Sequence, residues 1–207
     1  MLKQLLFILF FLLLLPSCST NAPIKITDIP LATTIVQRNQ QLQALNHWII
    51  KGKIAFIEQK KRQSASLFWQ FNQQKHSRYQ QIDLTTFLGI NILHVQSNNN
   101  HHIIEVDGKT YQGNNLSALI YSLTTIKLPT EALSYWLKGI AYSKQDKLTY
   151  QQNSLLPQTL EGYYNTQKWQ VKYNKYHLFQ GYQLPTSLTI KQNDITIKIK
   201  IDKWSIL

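Results

Sequence analysis

The sequence predicts a mainly β, α+β protein built on one curved antiparallel sheet with a few short helices. In the C-terminal stretch DITIKIKID, Ile195, Ile197, Ile199 and Ile201 alternate with Thr196, Lys198, Lys200 and Asp202. This is the period-two pattern of a strand with one dry face and one wet face. A half-wetted face belongs to antiparallel sheets, since parallel sheets are covered on both sides. The same alternation recurs through most of the chain, while helical spacing is confined to three short stretches.

The elements follow in order. Asp28-Ile29-Pro30 reads as a helix start; Leu31, Ile35, Leu42 and Leu45 then recur at helical spacing, leaving Gln37, Arg38 and Gln41 for solvent. After Asn46 the period becomes two. HWIIKGKIAFIE places Trp48, Ile50, Ile54 and Phe56 on one face and Lys51 and Lys53 on the other. Beyond a charged turn at 58–62, SASLFWQF places Ala65, Leu67, Trp69 and Phe71 together. Ile82 with Leu84, Leu93 with Val95 and Ile104 with Val106 continue the pattern, and Asp107-Gly108 is the pair a two-residue type I′ hairpin turn prefers.

Two helices interrupt the strands. NNLSALIYSL carries Leu116, Leu119, Ile120 and Leu123 behind an asparagine cap. LPTEALSYWLKG opens at a proline, has Glu131 in its first turn and ends at Gly139, with Leu133, Trp136 and Leu137 on one side. Strands return around Leu148 and Tyr150, Leu160, Trp169 to Tyr173, and Leu188 with Ile190; Gln192-Asn193-Asp194 turns into the last. No repeat and no second domain is evident, so the helices are left to cover the sheet's apolar face.

At the N-terminus, Lys3 precedes an apolar run at 5–15 and then Pro16, Ser17 and Cys18. That layout describes an export signal, and the run is shorter than the about 20 residues of a bilayer span. LPSC resembles a bacterial lipobox, with Cys18 as the lipid-modified first residue; an ordinary signal peptide with a chance cysteine is the other reading. The expected boundaries are a cleaved signal peptide at 1–17, a lipid-anchored tether at 18–30 and a single domain at 31–207. Cys18 is the one cysteine of the chain, so no disulfide forms. In lipoproteins this start resembles, Asp after the cysteine retains the protein in the inner membrane; Ser19 therefore points to the outer membrane.

The net charge of +12 suits anionic partners. Export argues against nucleic acid, and the scattered lysines read as a solvated surface with attraction to anionic lipid. Catalytic signatures are missing. The seven glycines build no nucleophile elbow, dinucleotide fingerprint or phosphate loop, and none of the six histidines forms H-E-x-x-H. His101 and His102 follow three asparagines in a loop-like stretch, and adjacent strand residues face opposite ways, so no metal is expected there. The ten acidic residues show no spacing suited to paired-carboxylate chemistry. No enzyme, cofactor or metal is expected. The five tryptophans fall on apolar faces; a curved sheet with helical lids either fills with such side chains or encloses a cavity.

One stretch breaks the turn rules. In DLTTFLGINIL, Phe87 and Leu88 occupy a turn where Gly, Pro, Asn, Asp or Ser is usual. They either join the core or protrude.

LNHWIIKGKIAF, SASLFWQ, IDLTTFLGINIL, YWLKGIAY, WQVKY, LPTSLTI and IKIKIDKW, in this order and spacing, resemble the LolB family of outer-membrane lipoprotein receptors across nearly the whole mature chain. The resemblance implies an incomplete antiparallel β-barrel with helices over its opening and an internal hydrophobic cavity. It implies a lipid anchor at Cys18 and a position in the outer membrane facing the periplasm. The implied role is to accept acylated lipoprotein cargo from the periplasmic carrier LolA and place it in outer-membrane lipid, as a monomer. A Pro-Leu-Gly loop in this family carries an exposed, functional leucine. Here it reads Phe87-Leu88-Gly89, so Leu88 matches that leucine and Phe87 replaces the proline. Expected cavity residues are Ile54, Phe56, Leu67, Trp69, Ile82, Leu84 and Leu93 from the sheet, with Leu133, Trp136 and Leu137 from a covering helix. Rival readings are another outer-membrane lipid-binding or lipid-shuttling lipoprotein, a structural lipoprotein, and an envelope hydrolase.

Overall fold

The computed structural model describes residues 29–59, 61–124 and 128–207; the expected signal peptide, Cys18 and nearly all of the tether lie outside them. Helix α1 (Ile35–Ala44) precedes six strands: β1 (His47–Glu58), β2 (Lys61–Gln74), β3 (Ser77–Thr85), β4 (Asn91–Asn98), β5 (His101–Val106) and β6 (Lys109–Gly113). Helices α2 (Leu116–Thr124) and α3 (Thr130–Trp136) come next. Strands β7 (Lys147–Tyr150), β8 (Pro157–Tyr164), β9 (Gln167–Phe179), β10 (Tyr182–Gln192) and β11 (Ile195–Ile206) complete the chain.

All eleven strands join one antiparallel sheet in the order β6-β5-β4-β3-β2-β1-β11-β10-β9-β8-β7. The edges, β6 and β7, do not pair with each other, so the sheet is open and not a closed barrel. Two arms of consecutive hairpins meet at the β1–β11 seam, where the first strand pairs with the last from Trp48 opposite Ile206 to Glu58 opposite Ile195. The connection from β6 to β7 carries α2 and α3, the part of the chain that covers the sheet's apolar face.

Alternation decides which face is dry. Ile197, Ile199 and Ile201 of β11 are buried and Lys198 and Lys200 exposed. The next inward residue is Trp204, because a bulge places Lys51 opposite Lys203 and Gly52 opposite Ile201. Gly52 is required at this kink: a Cβ there would lie 2.1 Å from the Lys200 carbonyl oxygen. Trp48 fills the centre of the core, edge-on to Trp69 and Trp204 and stacked on Phe71 at 5.2 Å between ring centroids.

Helix α1 differs from the sequence expectation at both its start and its faces. It begins after Thr34, whose hydroxyl accepts from the Gln37 backbone N–H, and not at Pro30. Arg38, expected in solvent, is 3% exposed. Its guanidinium donates to the carbonyls of Gly139 (3.0 Å) and Lys138 (3.3 Å), where α3 ends. Hydrogen bonding to backbone outweighs solvation here because the α3 terminus supplies carbonyls with no helical partner. The Asp107-Gly108 turn has both residues at positive φ, 51° and 71°, as type I′ requires.

Candidate functional site

The concave face of β2–β5 carries cross-strand rungs of apolar side chains. Trp69, Ile82, Val95 and Ile104 form one rung; Leu67, Leu84, Leu93 and Val106 form the next. Facing them, α2 turns Leu116 and Ile120 inward and α3 turns Leu133 inward, leaving an apolar cavity of about 90 Å³ between helices and sheet. Ile54, Phe56, Leu67, Trp69, Ile82, Leu84, Leu93 and Leu133, eight of the ten residues expected there, line it together.

Trp136 and Leu137 do not. Both are fully buried in the packed core. Trp136 lies against Gly162, where a Cβ would come within 2.3 Å of the indole, and its Nε1 donates to Asp146 Oδ2 at 2.9 Å. Leu133 and Trp136, three residues apart, share a helix face, but Leu133 meets the cavity while Trp136, further along, is sealed against β8. Sequence reasoning missed eight lining residues; of these Val95, Leu116, Ile120, Ile197 and Ile199 carry the same periodic signals as those it found, while Gln80, Leu128 and Thr130 do not. Only the sheet's curvature brings β11 opposite α2.

Phe87 and Leu88 are not packed into the core: they are 90% and 71% exposed, with Ile90 exposed beside them. The turn beneath them is well made. Thr86 accepts from the Gly89 N–H at 3.0 Å and donates its own N–H to the Ile90 carbonyl at 2.8 Å, while its hydroxyl accepts from the Ile90 N–H at 3.1 Å. Gly89 sits at φ +82°. This is a three-residue hairpin loop closed by a left-handed glycine. Phe87 stands at the second turn position, where proline is favoured but most residues are accepted. Two large apolar groups are thereby held in solvent by their own backbone.

The polar face of the sheet carries the basic surface. Lys53 stands directly opposite Lys200 across the β1–β11 seam, and Lys172, Lys191 and Lys198 line an open groove of about 590 Å³. Among the described residues no group of three His, Cys, Asp or Glu side chains could hold a metal ion. No helix among them is long and apolar enough to cross a membrane.

The described residues form an open antiparallel sheet folded around an apolar space under short helices, a half-barrel. The fold is shared with a LolA superfamily protein from Nitrosomonas europaea (TM-score 0.53, 7% identity, 85% of this chain and 94% of that one). A DUF1329 family protein from Desulfovibrio piger is similar at TM-score 0.59 and 9% identity, over 83% of this chain and 90% of that one. Residues 46–204 match the family model "Outer membrane lipoprotein LolB". The chain is 34% identical to the outer-membrane lipoprotein LolB of Psychromonas ingrahamii, over 95% of this chain and 93% of that protein. It is 30% identical to that of Vibrio cholerae, over 95% and 93%. The chain belongs to the LolB family of outer-membrane lipoproteins, a family of trafficking receptors and not of enzymes.

Proposed function

We propose that this protein is an outer-membrane receptor that takes acylated lipoproteins from a soluble carrier of the LolA type and inserts them into the membrane. Cys18 is its lipid anchor, following a signal peptide at 1–17 and preceding the tether and the single domain at 31–207. The observation that carries the reading is the pairing of an apolar cavity with the solvent-held Phe87-Leu88 tip on the same arm of the sheet.

The energetics explain the pairing. Moving one acyl chain of about 16 carbons into water costs roughly 13 kcal/mol at about 0.8 kcal/mol per methylene. Release through water is therefore slow, and shielding the chain up to the bilayer removes that step. The chain carries no nucleotide-binding motif, so transfer runs down an affinity gradient: the cavity binds acyl chains better than the carrier and worse than the membrane. The cavity of about 90 Å³ is too small for a whole chain. Loading requires α2 to move, and its stripe of Leu119, Ile120 and Leu123 is only half-buried against the sheet.

The test is delivery of a radiolabelled lipoprotein from a loaded carrier into liposomes, comparing wild type with Leu88→Glu. The variant should keep its stability within about 0.5 kcal/mol, as for an exposed site, and accept cargo but fail to deliver it. Normal delivery by Leu88→Glu removes the membrane role of the tip. A wild type that takes no cargo removes the receptor role and leaves a lipid-binding lipoprotein of another kind.

A further inference from the structure

The apolar rungs of the concave face end in a polar one. On β3, β4 and β5 the next inward residues are Gln80, Ser97 and His102, each directly opposite the next. Neighbours in such a row have Cβ atoms about 5 Å apart. Gln80 and Ser97 are 4% and 3% exposed, yet Gln80 Oε1, Ser97 Oγ and His102 Nδ1 have no hydrogen-bond partner among the described residues. Leaving such a group unpaired costs about 1–3 kcal/mol. An apolar triplet would have continued the rungs above it without that cost.

The polar rung opens into a pocket of about 260 Å³ that also takes in Arg78, Asn115 and Glu131. This pocket adjoins the apolar cavity: Gln80, Leu116 and Thr130 line both. The Thr130 hydroxyl is engaged with Ser117 at 2.7 Å, so Gln80 and Ser97 supply the free polar groups at the junction. Burial holds the His102 ring below the ordinary histidine range, against the opposing pull of Glu131, so it is neutral and keeps one acceptor nitrogen.

We propose that Gln80, Ser97 and His102 form a subsite for the ester and amide linkages of an acyl lipid, whose hydrocarbon occupies the adjoining apolar cavity. The Gln80 carboxamide oxygen accepts from an amide N–H, and the Ser97 hydroxyl donates to an ester or amide carbonyl. The linkage then sits at one end of the cavity, and the chains run past Ile82 and Val95 toward Leu84 and Leu93. That is the end from which the Phe87-Leu88 loop projects, since β3 ends at Thr85 and β4 begins at Asn91. The chains would thus lie with their methyl ends nearest the apolar tip. This subsite rests on the lipoprotein-receptor reading above.

Ester carbonyls occur in two lipids, an acylated N-terminal cysteine and a diacyl phospholipid, while the amide N–H belongs to the cysteine alone, so the experiment uses both. Binding of a triacylated cysteinyl peptide, of phosphatidylglycerol and of hexadecane is measured for the unlipidated Cys18→Ser chain, with and without Gln80→Met or Ser97→Ala. Both changes remove an unpartnered buried group, so thermal stability should hold or rise; if one variant fails to fold, the other decides. Binding of the peptide should weaken about tenfold, the scale of one net hydrogen bond, while hexadecane binding stays unchanged. Phospholipid weakened alongside the peptide by Ser97→Ala means the site reads the ester in either source, phospholipid weakened alone assigns it to phospholipid, and Gln80→Met should weaken the peptide only. Equal weakening of hexadecane, or no change for either linked lipid, overturns the subsite but leaves the receptor reading standing. A background chain that binds none of the three overturns both.

Discussion

Arg38 and Lys138 hold two helix ends together reciprocally. Arg38, on α1, donates to the carbonyls of Lys138 and Gly139 past the end of α3, and Lys138 Nζ donates to the carbonyls of Leu42 (2.8 Å) and Leu45 (3.0 Å) at the end of α1. Both cations are buried, and among the described residues neither has an acidic partner. A cation at a helix C-terminus is favourable, and each side chain satisfies carbonyls that the helix leaves unpaired. Arg38→Leu should therefore cost about 2 kcal/mol or more, read from denaturant titration at unchanged slope, because buried acceptors lose a charged donor.

The same clasp predicts a pH dependence. Burial lowers the Lys138 pKa from 10.5 to about 8. Between those values the unfolded chain binds more protons than the folded one, so stability rises with pH through that window. Burial raises Tyr173 and Tyr176 above their ordinary 10, so unfolded-state tyrosines ionise first and stability falls at higher pH. Urea titrations from pH 7 to 11 should show a maximum near pH 10. In Lys138→Met the rise above pH 8 should disappear while the fall remains.

Phe87→Pro should be tolerated. The Phe87 N–H makes no backbone bond among the described residues, and proline suits the second position of this turn. Stability should hold or rise by about 0.4–1 kcal/mol, while liposome binding weakens through lost apolar area. Gly89→Val, at φ +82°, should instead strain the turn and cost about 1 kcal/mol or more, measured by thermal unfolding.

Ile82→Phe should fill the space between sheet and helices. With a cavity of about 90 Å³ beside Ile82, overpacking should stay below about 1 kcal/mol, while affinity for a fluorescent alkyl probe falls. Unchanged probe affinity would mean that acyl chains bind elsewhere.

Lys53→Glu should stabilise the sheet. It replaces a like-charged pair with Lys200 across the β1–β11 seam by an opposite-charged one. A gain of roughly 0.2–1 kcal/mol at low salt, shrinking in 1 M salt, is expected from denaturation midpoints.

Most strands were legible because each is a local pattern: Ile197, Ile199 and Ile201 declare their face without help from the rest of the chain. The loop was legible as an anomaly, since Phe87 and Leu88 violate turn chemistry. What long-range register decides was hidden. Arg38 looked like any surface arginine until the end of α3 came beside it. Gln80, Ser97 and His102 are one polar residue each on three separate strands, and they become a group only when paired. Trp136 sat on the expected apolar stripe, but the fit of its ring on Gly162 depends on β8, which the stripe cannot report.

The β1–β11 seam also governs when this protein can fold. It pairs residues 48–58 with residues 195–206, so the two arms stay separate until the last strand of the chain is available. Pairings so far apart in sequence form slowly, because the loop between them must close first. A chain emerging N-terminus first can assemble the hairpins of β1 to β6 but cannot join them to β7 to β10 before β11 arrives. The sheet is therefore completed last of all, when β11 becomes available to both arms at once.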